Sequence, residues 1–274
     1  MPMLKDERQY QIVRQLHEKD EEISVNDLCH LLEVSPATVR RDIDELNAKG
    51  VVRKTHGGVV LPDNREFDPP VLQRRYLQAE EKHHIAREAA KLVKNGETIF
   101  LGNGSTVLEV AERLREKKNL TVITNSLPII NLLVEHENIN IITTGGFVRR
   151  PELSLIGHFV ESSLKDLRAD KVIMSFQGIH IQHGLTNNSV IETKTDQAIC
   201  KLSSQIIAVS DYTKCNRTRA SFVADLEQIN VLITDSQTPL DFVEELRNMG
   251  IDVIIADEND GHQNDNNGKN ERNT

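Results

Sequence analysis

No apolar run in this sequence approaches the roughly 20 residues that a helix needs to cross a bilayer, so no membrane-spanning helix and no membrane partner are expected. The opening residues, Met1-Pro2-Met3-Leu4-Lys5-Asp6-Glu7, lack the apolar stretch of a secretory leader. Cysteine is scarce: Cys29, Cys200 and Cys215 stand far apart, without the paired spacing of a metal or redox site. They fit a reducing cytoplasm, with Cys29 and Cys200 expected as small apolar core residues. Positive charge is in deficit. A formal net charge of −9 argues against a protein that coats nucleic acid indiscriminately. It still permits a local basic face, because screening makes the charges nearest a contact dominate. No repeat recurs at a solenoid period.

The 274 residues, 38% of them hydrophobic, suffice for two domains of unequal size. Residues 1–60 read as short helices ending in a hairpin. Residues 61–80, with Pro62, Pro69 and Pro70 among polar neighbours, read as a linker. From 81 to 256, β-branched runs alternate with helical patterns. The polar stretch 257–274 has nothing to bury and is expected to be disordered.

Ile12, Val13 and Leu16, preceded by Leu4, give a first amphipathic helix. Ser24 offers an N-cap, with Asp27 three residues on, to a helix expected to bury Leu28, Leu31 and Leu32. That helix stops near Glu33-Val34, and Ser35-Pro36 restarts the chain as N-cap and first helical residue. The third helix runs to Gly50 and buries Val39, Ile43 and Leu46. Two short helices about three residues apart, the second opening with Ser, Thr and Arg, are the arrangement that puts a helix into the major groove of DNA. Its solvent side carries Ala37, Thr38, Arg40, Arg41 and Asp44, next to the capping Ser35. Arginine there can pair bidentately with guanine. The stretch Val51–Val60 then alternates around Gly57-Gly58 as a hairpin does, and its Arg53, Lys54 and His56 would lie against phosphates. Asp42, Asp44 and Glu45 oppose the basic charge, so affinity should depend on a few contacts, doubled by dimerisation. A plain helical bundle with a solvated Arg40-Arg41 face is the competing reading. Cap, turn, arginine pair and basic hairpin in one order outweigh it.

The run Val34-Ser35-Pro36-Ala37-Thr38-Val39-Arg40-Arg41-Asp42-Ile43, with Leu46, Gly50 and His56-Gly57-Gly58, closely resembles the signature of the DeoR family of bacterial regulators. The resemblance covers Arg8 to Val60. It implies a winged helix-turn-helix that represses sugar-catabolism operons and is released by a phosphorylated sugar.

In the second half, strands are expected at Thr98–Leu101, Thr121–Thr124, Asn140–Thr143, Lys171–Phe176, Gln205–Val209, Val231–Thr234 and Asp252–Ile255. Helical patterns lie between most of them, which means an α/β domain with a doubly wound, mainly parallel sheet. Ligands of such sheets sit beyond the carboxyl ends of the strands. Those ends carry Gly102-Asn103-Gly104-Ser105-Thr106, then Thr124-Asn125-Ser126, then Gly145-Gly146 with Arg149 nearby, then Gly178, and finally Asp211 and Lys214. Glycine lets backbone N–H groups approach an anion, hydroxyls add donors, and helix N-termini favour negative charge. Glycine turns and hydroxyl caps are routine in α/β folds. Their recurrence along one sheet edge favours an anion pocket.

This half, from His83 to Asp235, resembles the DeoR sensor domain, which shares its fold with ribose-5-phosphate isomerase and the CoA-transferases. The resemblance implies a phosphate loop at Gly102–Thr106, a second loop at Thr124–Ser126 and an Asp-x-x-Lys stretch at Asp211–Lys214. Two positions depart from the family. Gly102-Asn103 replace its usual Asp-Ser pair, and Asp196-Gln197 stand where a basic pair is usual, which suggests an altered ligand or a weakened site.

No metal or cofactor is expected. His83-His84 and His180-x-x-His183 lack partners at metal-site spacing. Gly102-x-Gly104 lacks the third glycine and the later acidic residue of a dinucleotide fingerprint, and no Walker-type lysine follows. The reading is a cytoplasmic, sequence-specific DNA-binding repressor, a homodimer or homotetramer, with double-stranded operator DNA and a phosphorylated sugar or similar anion as partners. One alternative is a sugar-phosphate isomerase using Glu192, Asp196 or Asp211 as base. Another is a second domain that only oligomerises.

Overall fold

The computed structural model describes residues 4–19, 21–62 and 70–257. The tail expected to be disordered, 257–274, lies outside them except for Asp257, as do residues 63–69 of the expected linker. The amino-terminal elements are α1 (Lys5–Lys19), β1 (Ile23–Ser24), α2 (Val25–Leu32), α3 (Pro36–Ala48), β2 (Arg53–Lys54) and β3 (Gly58–Val60). The starts of α2 and α3 follow from capping side chains. The Ser24 hydroxyl accepts from the Asp27 N–H at 3.1 Å and opens α2. Glu33, in the left-handed region at φ 53, ends it. The Ser35 hydroxyl accepts from the Thr38 N–H at 3.3 Å, and Pro36 takes the first turn of α3.

Ile12, Val13, Leu16, Leu28, Leu32, Val39, Ile43 and Leu46 form one core with Val51, Val52 and Val59. Two expected core residues are not in it. Leu4 is 75% exposed because it precedes the first turn of α1. Leu31 is 47% exposed; it lies roughly 80° around the helix from the midpoint of Leu28 and Leu32. The turn of the hairpin is also displaced by one residue. Its tip is His56-Gly57, closed by Thr55 N–H to the Gly58 carbonyl at 3.0 Å. Gly58 instead begins β3, which runs between β1 and β2, and a Cβ there would stand 2.1 Å from the Ile23 carbonyl oxygen. Close strand approach, and not the turn, requires that glycine.

Asp42 and Glu45 do not oppose the DNA-facing charge as expected, because both turn toward α1. Buried Asp42 accepts from Arg8 Nε at 2.8 Å and Nη2 at 3.2 Å. Glu45 accepts from Gln9 at 3.0 Å and pairs with Lys5 at 2.6 Å.

The chain continues through α4 (Val71–Arg74), α5 (Ala79–Lys91), β4 (Thr98–Leu101), α6 (Ser105–Arg113), β5 (Leu120–Thr124), α7 (Leu127–Leu133) and β6 (Ile139–Thr143). A hairpin, β7 (Phe147–Arg149) with β8 (Ser154–Ile156), leads to α8 (His158–Leu164) and β9 (Lys171–Met174). Then come β10 (Gly178–His180), β11 (Gly184–Asn187), α9 (Val190–Ile199), β12 (Ile206–Val209), β13 (Ser221–Ala224), β14 (Val231–Asp235), α10 (Leu240–Asn248) and β15 (Asp252–Ala256). Seven strands form a wholly parallel sheet in the order β15-β14-β12-β9-β4-β5-β6. The chain winds outward from β4 to β6, then returns to β9 and winds the other way, so the order reverses between β4 and β9. Apolar clusters fill both faces of the sheet, as helices on both sides require.

The sequence reading located all seven of these strands but neither the β7–β8 hairpin nor the antiparallel sheet β10-β11-β13. Residues 71–78, read as linker, are tied down at α4: Val71 is buried and its N–H donates to the Pro151 carbonyl at 2.8 Å. Cys200 and Cys215 are buried, whereas Cys29 is only partly so. Arg8→Ala would leave the Asp42 carboxylate buried without its guanidinium. It should cost about 3 kcal/mol in chemical denaturation of the chain; a loss below 1 kcal/mol would remove this pair as the tie between α1 and α3.

Candidate functional site

The first candidate surface is the exposed side of α3 with the hairpin beside it. Ser35, Ala37, Arg40, Arg41 and Asp44 are exposed and Thr38 is half-buried, its hydroxyl 3.0 Å from that of Ser35. Arg53, Lys54 and His56 are exposed on the hairpin. The two elements are fixed to each other, since the Lys54 N–H donates to Asn47 Oδ1 of α3 at 3.2 Å. Asp44 and Lys54 form an ion pair and so offset each other. Among the described residues no ion pair engages Arg40, Arg41 or Arg53. That leaves three uncompensated guanidinium groups on one face of an acidic protein. An α-helix with a polar N-terminal end, flanked by a cationic ribbon, has the dimensions and donors to enter a major groove.

The second candidate lies where the sheet order reverses. The loop after β4 carries Gly102, whose N–H donates to the Ile173 carbonyl at 2.9 Å. It also carries Gly104, at φ +113, a conformation open to glycine and scarcely to other residues. Ser105 and Thr106 follow on the first turn of α6. With Ser175, Phe176 and Gln177 after β9, and Asp211 and Lys214 after β12, they line a cavity of about 70 Å³. Lys82 of α5 and Arg74, Leu77 and Gln78 complete its wall. Three cations face a single carboxylate, so the cavity favours an anion.

Lys82 is the least expected member, being 5% exposed. Its ammonium donates to the carbonyl of Arg74 at 2.5 Å and to that of Leu77. Burial pulls its pKa down to about 7; the Asp211 carboxylate works against this, while Arg74 and Lys214 add to it. Asp211 accepts from the Thr213 N–H at 3.0 Å, which shapes the turn that presents Lys214.

Beside the cavity runs a buried polar chain. Asn103 donates to Glu192 Oε1 at 2.8 Å, and Glu192 Oε2 lies 3.4 Å from Arg149 Nε. Arg149 approaches Glu152 at 3.5 Å, and Glu152 pairs with Arg74. One turn beyond Glu192, fully buried Asp196 accepts from Asn187 at 2.7 Å. Burial and then the Glu192 charge raise the Asp196 pKa well above its usual value. Burial and then Glu152 raise that of Glu192. Glu192 Oε2, Arg149 Nη1, Arg74 Nε, Asn125 Oδ1 and the Ser154 hydroxyl are buried without hydrogen-bond partners. Orphaned polar atoms gathered in this way are an unmet demand for polar contact.

Of the residues read from the sequence, Ser105, Thr106, Asp211 and Lys214 line the cavity, Gly102 and Gly104 lie in the loop that leads to Ser105 without lining it, and Asn103 and Arg149 belong to the adjoining chain. The others are not brought to it. Thr124 donates its hydroxyl to the Leu101 carbonyl at 2.7 Å, and Asn125 donates to the Leu155 carbonyl at 3.0 Å. Ser126 bridges to Ser154 of β8. Gly145 and Gly146 are exposed at the start of the β7–β8 hairpin. Gly178 lies under strand crowding, where a Cβ would meet the Arg217 carbonyl oxygen at 2.5 Å. Lys82, Arg74 and Ser175 were missed, whereas Gln177, at the end of β9 beside Gly178, lines the cavity. A larger groove of about 530 Å³, between α8 and α9, lies away from the strand ends and gathers none of these groups.

The architecture defines a DNA-reading module joined to an α/β unit with a cation-lined cavity, the two-part plan of a transcriptional regulator. Residues 8–65 match the DeoR-like helix-turn-helix domain, and residues 77–236 match the DeoR C terminal sensor domain. The transcriptional regulator GolR of Listeria innocua is 34% identical, over 92% of this chain and 98% of its own length. The transcriptional repressor AccR of Agrobacterium fabrum is 33% identical, over 85% of this chain and 90% of its own. The glycerol-3-phosphate regulon repressor of Escherichia coli strain K12 is 30% identical, over 85% of this chain and 92% of its own. The chain belongs to the DeoR family of DNA-binding transcriptional regulators. No described helix is long and apolar enough to cross a membrane.

Asp196 carries a stability prediction. Its folded pKa is raised above the unfolded value, so the folded state holds a proton that the unfolded chain releases, and stability falls as pH rises above 3.8. Asp196→Asn keeps an oxygen for Asn187 and removes the charge. Its Tm should exceed that of the parent near neutral pH, by about 2–4 °C per kcal/mol recovered, with the gap closing toward pH 4. An equal or lower Tm at neutral pH would show that the carboxylate is stabilised by something other than a proton.

Proposed function

We propose that this chain is a cytoplasmic repressor that binds double-stranded operator DNA through α3 and the β2–β3 hairpin, as a homodimer or homotetramer. A phosphorylated sugar, or a similar small anion, in the cavity at the β4/β9 reversal releases it. The observation that carries the DNA half is the set of exposed, uncompensated arginines on a capped helix. Arg40 and Arg41 make the base and phosphate contacts, and Arg53 and His56 track the backbone. Arg41→Ala should weaken operator binding by about 1–3 kcal/mol and relax preference at one base position. Genome-wide mapping of bound sites supplies the operator, and a variant with unchanged affinity and salt slope removes Arg41 from the interface.

The ligand half is carried by the three cations around a cavity at the topological switch point, the place where open α/β sheets bind ligands. Its volume is about 70 Å³. It fits an oxyanion group, while the rest of the ligand reaches toward the adjoining polar chain, where Arg149 Nη1 and Glu192 Oε2 lack hydrogen-bond partners and suit sugar hydroxyls. Binding without turnover is the reading, because the relatives are transcriptional regulators and Asp211, the carboxylate that lines the cavity, is engaged in capping a turn. Sustained isomer formation from a panel of sugar phosphates would refute it.

Sulfate, whose charge is constant through neutral pH, tests the cavity. Lys82 is cationic below about pH 7, so sulfate affinity should fall as pH rises through that value, by up to about tenfold per unit. In Lys82→Met this slope should vanish. An affinity in the parent that is flat from pH 6 to 9 would exclude Lys82 from the anion contact.

A further inference from the structure

Neighbouring residues of α4 face two different sites. Gln73, although 4% exposed, donates from Nε2 to the Gly50 carbonyl at 2.6 Å. Gly50, at φ +68, is where α3 gives way to the hairpin. Three residues on from Gln73, Tyr76 packs against the core of the DNA-reading module. Arg74 faces the other way: it lines the anion cavity, is held by Glu152, and keeps a buried Nε without a hydrogen-bond partner. The Lys82 ammonium, inside the cavity, closes the carboxyl end of the same turn through the carbonyls of Arg74 and Leu77.

We propose that α4 and the turn after it transmit occupancy of the anion cavity to the end of the recognition helix, with the Gln73–Gly50 hydrogen bond as the joint. The proposal rests on the anion-binding reading of the cavity. The backbone bonds of α4 are short-range, such as Arg74 N–H to Pro70 and Arg75 N–H to Val71; they hold the shape of the turn, and outside contacts set its position. Here those contacts are the Val71 N–H to Pro151, Arg74 to Glu152, and the two carbonyls under Lys82. An oxyanion accepting from unpartnered Arg74 Nε and from the third N–H of the Lys82 ammonium takes no donor from the last two, but its charge pulls both cations away from Glu152 and the two carbonyls. It draws the cations into the cavity and leaves the turn free to shift, carrying Gln73 with it. The ligand thereby binds the two placements of α4 with different affinity, as any population shift requires.

Hydrogen exchange on the full chain, with sulfate as probe, tests this. The reporters are the amides of Lys49, Gly50 and Val51, which bond to Glu45, Asn47 and Leu46 at the end of α3. Saturating sulfate should speed their exchange in the parent. Gln73→Met keeps the length of the side chain and removes the donor. It should bind sulfate more tightly than the parent, by up to about fivefold because the joint no longer has to be broken, start with exchange about fivefold faster at these amides, and show no further response. Sulfate that saturates the parent without changing these amides overturns the relay and leaves the cavity reading intact. Absence of saturable sulfate binding removes both. A Gln73→Met chain that still responds to sulfate as the parent does overturns the joint.

Discussion

The reversal of strand order between β4 and β9 is the constraint on which the second half of the molecule depends. Two parallel strands that send their chains to opposite sides leave a gap beyond their carboxyl ends. The backbone must turn away there without a side chain filling the gap. Gly104, with a φ of +113, and Gly102, packed against the Ile173 carbonyl, meet that demand on one side. On the other, Ser175, Phe176 and Gln177 follow β9 and wall the same space. The cavity therefore exists because of topology. The residues around it decide its charge.

That charge is unevenly shared. The cavity itself gathers Lys82, Lys214 and Arg74 against Asp211, while the adjoining chain holds Glu192, Glu152 and Asp196 against Arg149. Burying like charges together is costly, and the protein relieves it by moving protons rather than by moving groups. Lys82 is pulled down to about 7 and Asp196 is pushed up. Arg74 and Glu152 join the two regions, so a change of charge in one is felt in the other. Asp196, where a basic residue was expected from the family resemblance, makes this neighbourhood more acidic than the phosphate loop alone would suggest. The pairing of a cationic cavity with an acid-rich annex suits a ligand with one anionic end and a hydroxylated remainder.

The parts of this arrangement that were legible in the sequence are those with local physical signatures. Ser24, Ser35 and Pro36 mark helix starts because capping acts over three residues, and the seven parallel strands are long, β-branched and regularly spaced. Gly102–Thr106 and Asp211–Lys214 stand at strand ends, where periodicity alone locates them. Lys82 carries no such mark, since an amphipathic helix shows lysines on its solvent side and nothing local says that this one is turned inward. Arg74 and Gln73 sit in a stretch whose prolines read as a linker, and their burial comes wholly from partners dozens of residues away, Glu152 and Gly50. The β7–β8 hairpin, three residues to a strand, is too short for alternation to register. Asp42 looked like a charge opposing DNA until Arg8, 34 residues earlier, was found to hold it.

The acidity of the whole chain bears on how regulation works. A net charge of −9 makes most of the surface repel DNA. Among the described residues of the DNA-reading module, attraction rests chiefly on Arg40, Arg41, Arg53 and the N-terminal end of α3. A basic protein could tilt on its site and keep most of its phosphate contacts. Here a small reorientation exchanges attractive contacts for repulsive surface, so modest movement has a large effect on affinity. A loss of 1.4 kcal/mol at each half-site is about tenfold there, and a dimer compounds it to about a hundredfold. On the proposed reading, the ligand need only displace a four-residue helix that is already held by contacts it shares with the ligand's own cavity.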